Sequence, residues 1–397
     1  MITIADNNDK RWKSLLQGCF GAGYFVLLYF GMIIGTDFMN HLMMGYTLLL
    51  FFITIKPTPR NLKILGWSLF LCGVAFLISL CRNYELRQPM YKEIFYILVA
   101  IVFLSKKLNV IPFYCAFFLI SGLILYRYVS NFTVLFLASE TEAFFATQSA
   151  NYISVLLLSI LCVIFYQLRI QGKKVPIVLP LITFFISMLS LSRSGMISSA
   201  VLLIGILFCN YKLSPKKVLK YLFFSAIIVF AFIVCFSLIS EYAGFDVFSS
   251  DFILGKFQYR SSSYKTDARN LVLTEYLSNL NLESFLFGYD WEKNFDIIIV
   301  GDTHNSYLQM HHSFGFIAFF ILYRMAKSAL FLWRNDKVLF VMMFSICLRA
   351  FTDDMFFINS SDFAILLYLF IPYYVVYANA RSIHQHNIIN VCSMNNM

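Results

Sequence analysis

An all-α, multi-pass membrane bundle is the fold class this sequence predicts, and three observations predict it. Of 397 residues, 60% are hydrophobic and only 13% charged, with a mean hydropathy of +0.73. Apolar runs approaching the length of a bilayer crossing recur about twelve times. Lys and Arg collect in alternate connections between those runs. A chain of this composition is solvated mostly by lipid. Inside the hydrocarbon every backbone polar group has to be bonded within its own segment, which leaves the helix as the spanning element.

In chain order the expected spans are 16–35, 41–55, 64–81, 94–105, 110–128, 152–168, 175–191, 196–209, 221–239, 306–323, 338–350 and 363–377. The first has no small-residue cleavage pattern after it and serves as its own insertion signal. Pro57 and Pro59 end a helix at one face, as do 173–176 and 214–217. No fixed-period repeat or Gly/Pro-rich linker divides the chain, so 1–397 reads as a single membrane domain. The interval 241–303 has no continuous apolar run and carries aromatic residues throughout, from Tyr259 to Trp291. It is far longer than a helix connector needs to be, and loops of that kind are usually functional.

Charge sets the orientation. The N-terminal segment and alternate connections after it (56–63, 106–107, 169–174, 212–220, 324–337 and 381) hold about two thirds of the 31 basic residues. Only Asp6, Asp9 and Asp336 of the 21 acids share that side. Both termini are therefore expected in the cytoplasm, with 241–303 as a large helical loop facing outward. The net charge of +10 reports this asymmetry and not nucleic-acid binding, because the basic residues are spread over separate short loops. The nine cysteines show no paired spacing and act as small apolar residues. The basic loops hold no Gly-rich phosphate cradle, which argues against a nucleotide-driven engine.

Polar chemistry gathers on the outward side. Arg193 sits in the Ser192–Arg193–Ser194–Gly195 turn, where a cation either anchors at the interface or faces a wet cavity. Arg260 and Arg269 flank a polar segment, and a guanidinium fork matches the oxygens of a diphosphate. Lys256 and Lys265 read as solvated charges. After Arg269 the positions Leu271, Leu273, Leu277 and Leu280 suggest a helix lying on the bundle, with Arg269 at its N-terminal end, where the dipole also favours an anion. His304 follows Asp302 and precedes Asn305 and Tyr307 at a span mouth, where an imidazole can take a hydroxyl proton near neutral pH. His311 and His312 read as bundle-facing polar residues.

The order Ser192–Arg193–Ser194–Gly195, Asp267–Ala268–Arg269–Asn270, Phe287–Gly288–Tyr289, His304–Asn305–Ser306–Tyr307 and Gly315 resembles the O-antigen ligase and polymerase superfamily. Ala318, and the lack of a Trp just after Arg269, place the likeness nearer the Wzy-type polymerase branch than the ligases. The resemblance implies a glycosyltransferase that joins undecaprenyl-diphosphate-linked oligosaccharide repeats into O-antigen or capsular polysaccharide at the outer face of the inner membrane. Arg193 and Arg269 would hold the diphosphate and His304 would activate the acceptor. Arg260, Asp302, Asn305 and Tyr307 would bind substrate. Besides membrane lipids, a flippase and a chain-length regulator are the implied partners.

Neither cofactor nor metal is expected, since His304, His311 and His312 lack a carboxylate placed to complete a metal site with them and adjacent Asp353 and Asp354 splay apart. Two other readings stand beside the polymerase. A ligase would pass the same glycan to a lipid A core. A transporter of lipid-linked sugars would place charges mid-span and show paired halves, neither of which is seen.

Overall fold

The computed structural model describes residues 2–55, 58–81, 87–130, 151–190, 192–211, 216–217, 220, 223, 268–288, 305–351 and 361–374. All regular structure among them is α-helix. The elements are α1 (Ile2–Ile34), α2 (Asp37–Thr54), α3 (Pro59–Cys81), α4 (Arg87–Ser105), α5 (Ile111–Ser130), α6 (Tyr152–Ile170) and α7 (Val178–Leu189). They continue as α8 (Arg193–Cys209), α9 (Ala268–Ser278), α10 (Leu282–Phe287), α11 (Ser306–Phe314), α12 (Ile317–Asn335), α13 (Lys337–Phe351) and α14 (Asp362–Tyr374).

Four of these helices are long and apolar enough to cross a membrane, in the stretches Trp12–Ile34, Pro59–Leu77, Ile111–Tyr128 and Tyr152–Ile170. Shorter apolar helices are Val178–Leu189, Arg193–Cys209 and Asp362–Tyr374. The expected span at 221–239 lies outside the described residues. Most expected runs coincide with helices whose ends shift by a few residues, because polar residues such as Arg87 and Lys92 extend a helix beyond its apolar part. Pro59 opens α3 and does not close α2, which ends at Thr54. At the first helical position its missing N–H costs no bond.

One expected span is divided. The run 306–323 is not a continuous helix: α11 ends at Phe314, Gly315 takes φ +52°, and α12 starts at Ile317. The polar half, Ser306–Phe314, is only nine residues long. At about 1.5 Å per residue it is far too short to cross the hydrocarbon.

α6 is the axis of the bundle. Every residue from Ile153 to Leu168 is buried, and α5, α7, α8 and α13 pack around it. α13 runs antiparallel to α6 and is tied to it at both ends. Arg169, at the end of α6, donates from Nε to Asp336 Oδ2 at 2.8 Å just before α13 begins. Arg349, in the last turn of α13, reaches the start of α6. Near the Arg169 end, Gln167 accepts from Leu108 N at 2.8 Å and donates to Phe103 O at 2.7 Å. Its buried amide thereby closes the turn between α4 and α5 without leaving a polar atom unmatched. The aromatic core of Tyr24, Phe25, Phe103, Phe113 and Phe363 joins α1, α4, α5 and α14 by edge-on and stacked contacts.

Candidate functional site

The end of the bundle marked by Arg349 brings together the starts of α6, α8 and α11. α8 begins where Ser192 caps it, its Oγ accepting from Gly195 N at 3.3 Å. Arg193 is the first helical residue and its side chain is exposed. Two residues on, Gly195 lies so close to α6 that a Cβ there would sit 2.7 Å from Ser154 Oγ. Ser154 Oγ in turn donates to Asn151 O at 3.0 Å and accepts from Arg349 Nε at 3.1 Å. Arg349 Nη2 also donates to Asn151 O at 3.1 Å.

Arg349 is fully buried, and the sequence reading did not single it out. A guanidinium inside an apolar bundle is costly unless its donors are engaged. Its signal was one Arg in the last turn of an otherwise apolar run, Val338–Ala350, which looks the same in sequence as an interfacial anchor.

The mouth of α11 is fixed on the same end. Asn305 is its N-cap, the amide oxygen accepting from Tyr307 N at 2.9 Å and Leu308 N at 3.3 Å. Tyr307 donates its hydroxyl to Cys347 O at 2.9 Å, two residues before Arg349. The described bonds of Asn305 and Tyr307 thus hold the helix in place. A continuous path runs from the Arg193 turn through Gly195, Ser154 and Arg349 to Cys347, Tyr307 and Asn305.

α9 carries Arg269 as its second residue, as the Leu pattern suggested, but the anchor differs from the one expected. Leu273 and Leu277 are exposed, while Tyr276 is buried. The packing face is thus centred on Tyr276 and not on the Leu stripe, because the side chain of Tyr276 finds a buried polar partner that the leucines cannot use. The Tyr276 hydroxyl bonds His311 Nδ1, and His311 Nε2 lies 3.0 Å from Phe285 O. A carbonyl can only accept, so Nε2 carries the proton and Nδ1 accepts from the tyrosine. His311 therefore ties α9 and α10 to α11.

Backbone contact completes the docking of this segment. Gly288, φ +87°, would drive a Cβ to 2.2 Å from His312 O, and Gly315 would drive one to 2.4 Å from Leu286 O. Phe316 N donates to Leu286 O at 2.9 Å across the α11–α12 break. The two glycines thus seat the end of α10 in the bend between two helices. Arg260, Asp302 and His304 lie outside the described residues, and His304 is the chain neighbour of Asn305. Among the described residues no cluster of three or more His, Cys, Asp or Glu side chains is placed to hold a metal ion.

Fold and composition define an all-helical membrane protein with a polar cluster at one end of its bundle. Compared with known proteins, the chain matches no family model, no curated sequence and no solved structure.

Proposed function

We propose that this protein is an inner-membrane glycosyltransferase of about twelve spans that polymerises polyprenyl-diphosphate-linked oligosaccharide repeats on the non-cytoplasmic side. Both termini are cytoplasmic in this reading, and 241–303 forms the outward loop. The observation that supports it is the link through Arg349 between the Arg193 turn and the start of α11, whose cap Asn305 follows His304 in the chain, together with the tie of α9, the helix of Arg269, to α11 by Tyr276 and His311.

Arg193 and Arg269, with Arg260, neutralise charge on the diphosphate as the bond from the anomeric carbon to the phosphate oxygen breaks. His304, oriented by Asp302, takes the proton of the acceptor hydroxyl as its oxygen bonds to that carbon. A single displacement inverts the anomeric centre. The bond energy already stored in the glycosyl diphosphate drives transfer, and the exposed aromatic residues suit sugar faces.

Replacing Arg193, Arg269 and His304 singly by Ala and running surface polysaccharide on a gel tests this reading. The expected outcome is a single repeat unit on the core with no ladder. Bare core would indicate a ligase. A normal ladder from all three variants would remove these residues from the site.

A further inference from the structure

Between α3, α4, α12 and α14 lies a cavity of about 90 Å³ lined by Ser68, Cys72, Glu93, Ile97, Arg324 and Asp362, among others. Glu93 and Asp362 are both buried, at 8% and 2% exposure, and their side chains are within hydrogen-bonding reach of each other. Glu93 Oε2 has no partner, although it is fully enclosed. Such a volume has room for a handful of waters.

Among the described residues, the groups facing the pair include Tyr24 of α1, Cys72 and Ser68 of α3, and Arg324 of α12. Tyr24 brings a hydroxyl with no hydrogen-bond partner, and the Arg324 guanidinium stacks 4.6 Å from the Tyr373 ring centroid.

Two carboxylates at hydrogen-bonding distance in apolar surroundings cannot both keep their charge. A bond between their oxygens requires a hydrogen. With one proton on the pair, the described lining carries one carboxylate and one guanidinium, which balance. Ionisable groups buried among the helices of a membrane bundle commonly mark proton or ion sites. The geometry points to an intramembrane proton-binding site in which Glu93 and Asp362 share a single proton, opening on the water-sized cavity beside them. The site is separate from the glycosyl-transfer reading and stands whether or not that reading holds.

Infrared spectroscopy of the full chain in lipid vesicles tests it. Wild-type protein at neutral pH should show a protonated-carboxyl C=O band that shifts in D2O, and Glu93→Gln and Asp362→Asn should each abolish it. Replacing sodium by choline at fixed pH should leave the band unchanged. Absence of the band in wild type, its survival in either variant, or its bleaching by sodium would overturn the proposal. Absence of the band in wild type overturns the proposal even if a variant fails to fold.

Discussion

Arg349 donates from Nε to Ser154 Oγ at 3.1 Å and so joins the last turn of α13 to the first turn of α6. At the opposite end Arg169 and Asp336 join the same two helices at 2.8 Å. The central helix is held like a rung fixed at both ends, and the Arg349 tie is the buried one.

Arg349→Ala should therefore lower stability by about 2–4 kcal/mol, from the cavity left and the carbonyl of Asn151 losing a donor. Ser154→Ala, which removes the acceptor of Arg349 Nε and a donor to Asn151 O, should cost about 1–3 kcal/mol. Chemical unfolding in detergent measures both. Arg349→Ala should cost less on the Ser154→Ala background, since the two share a bond. Additive losses would mean the guanidinium acts without Ser154.

Gly195→Ala places a methyl 2.7 Å from Ser154 Oγ and 2.8 Å from Ser154 Cβ. Overpacking of this kind costs about 1–3 kcal/mol. Because the obstacle is a side chain, Ser154→Gly in the same chain should recover part of the loss, which the melting temperatures of the two singles and the double would show. No recovery would place the strain elsewhere.

At Gly288 and Gly315 the obstacle is backbone, so no partner substitution can relieve it. Each combines a left-handed φ with a Cβ driven into a carbonyl. Gly315→Ala or Gly288→Ala should cost about 2–4 kcal/mol, more than Gly195→Ala, with no second-site rescue at Leu286 or His312. Limited proteolysis should then cut first between α10 and α11. Wild-type resistance in both variants would show that this docking is adaptable.

The helices were legible because apolar run length and breakers are local properties: α5 and α6 fall within two residues of the expected ends. The placing of Arg269 near the start of a helix was legible for the same reason. The break at Gly315 was not, since the run continues apolar on its far side and only the carbonyl of Leu286, from a distant segment, fixes the bend. Arg349 and Tyr276 were missed on similar grounds. Their partners, Ser154 and His311, are remote in sequence, and nothing in the residues beside them records the bond.

Tyr276→Phe isolates that last relationship, because it keeps the ring in its buried place and removes only the hydroxyl. His311 Nδ1 then loses its donor while Nε2 still binds Phe285 O, so α10 stays docked and α9 alone is loosened. The lost bond is worth about 1–2 kcal/mol, which makes amide exchange in α9 about 5–30 times faster and leaves α6 unchanged. Under the proposed function the same variant should shorten the polysaccharide ladder without abolishing it, since Arg269 is displaced and not removed. Faster exchange with a normal ladder would keep the tie between α9 and α11 and take Arg269 out of the transfer reaction. Unchanged exchange would show that the hydroxyl holds nothing in place.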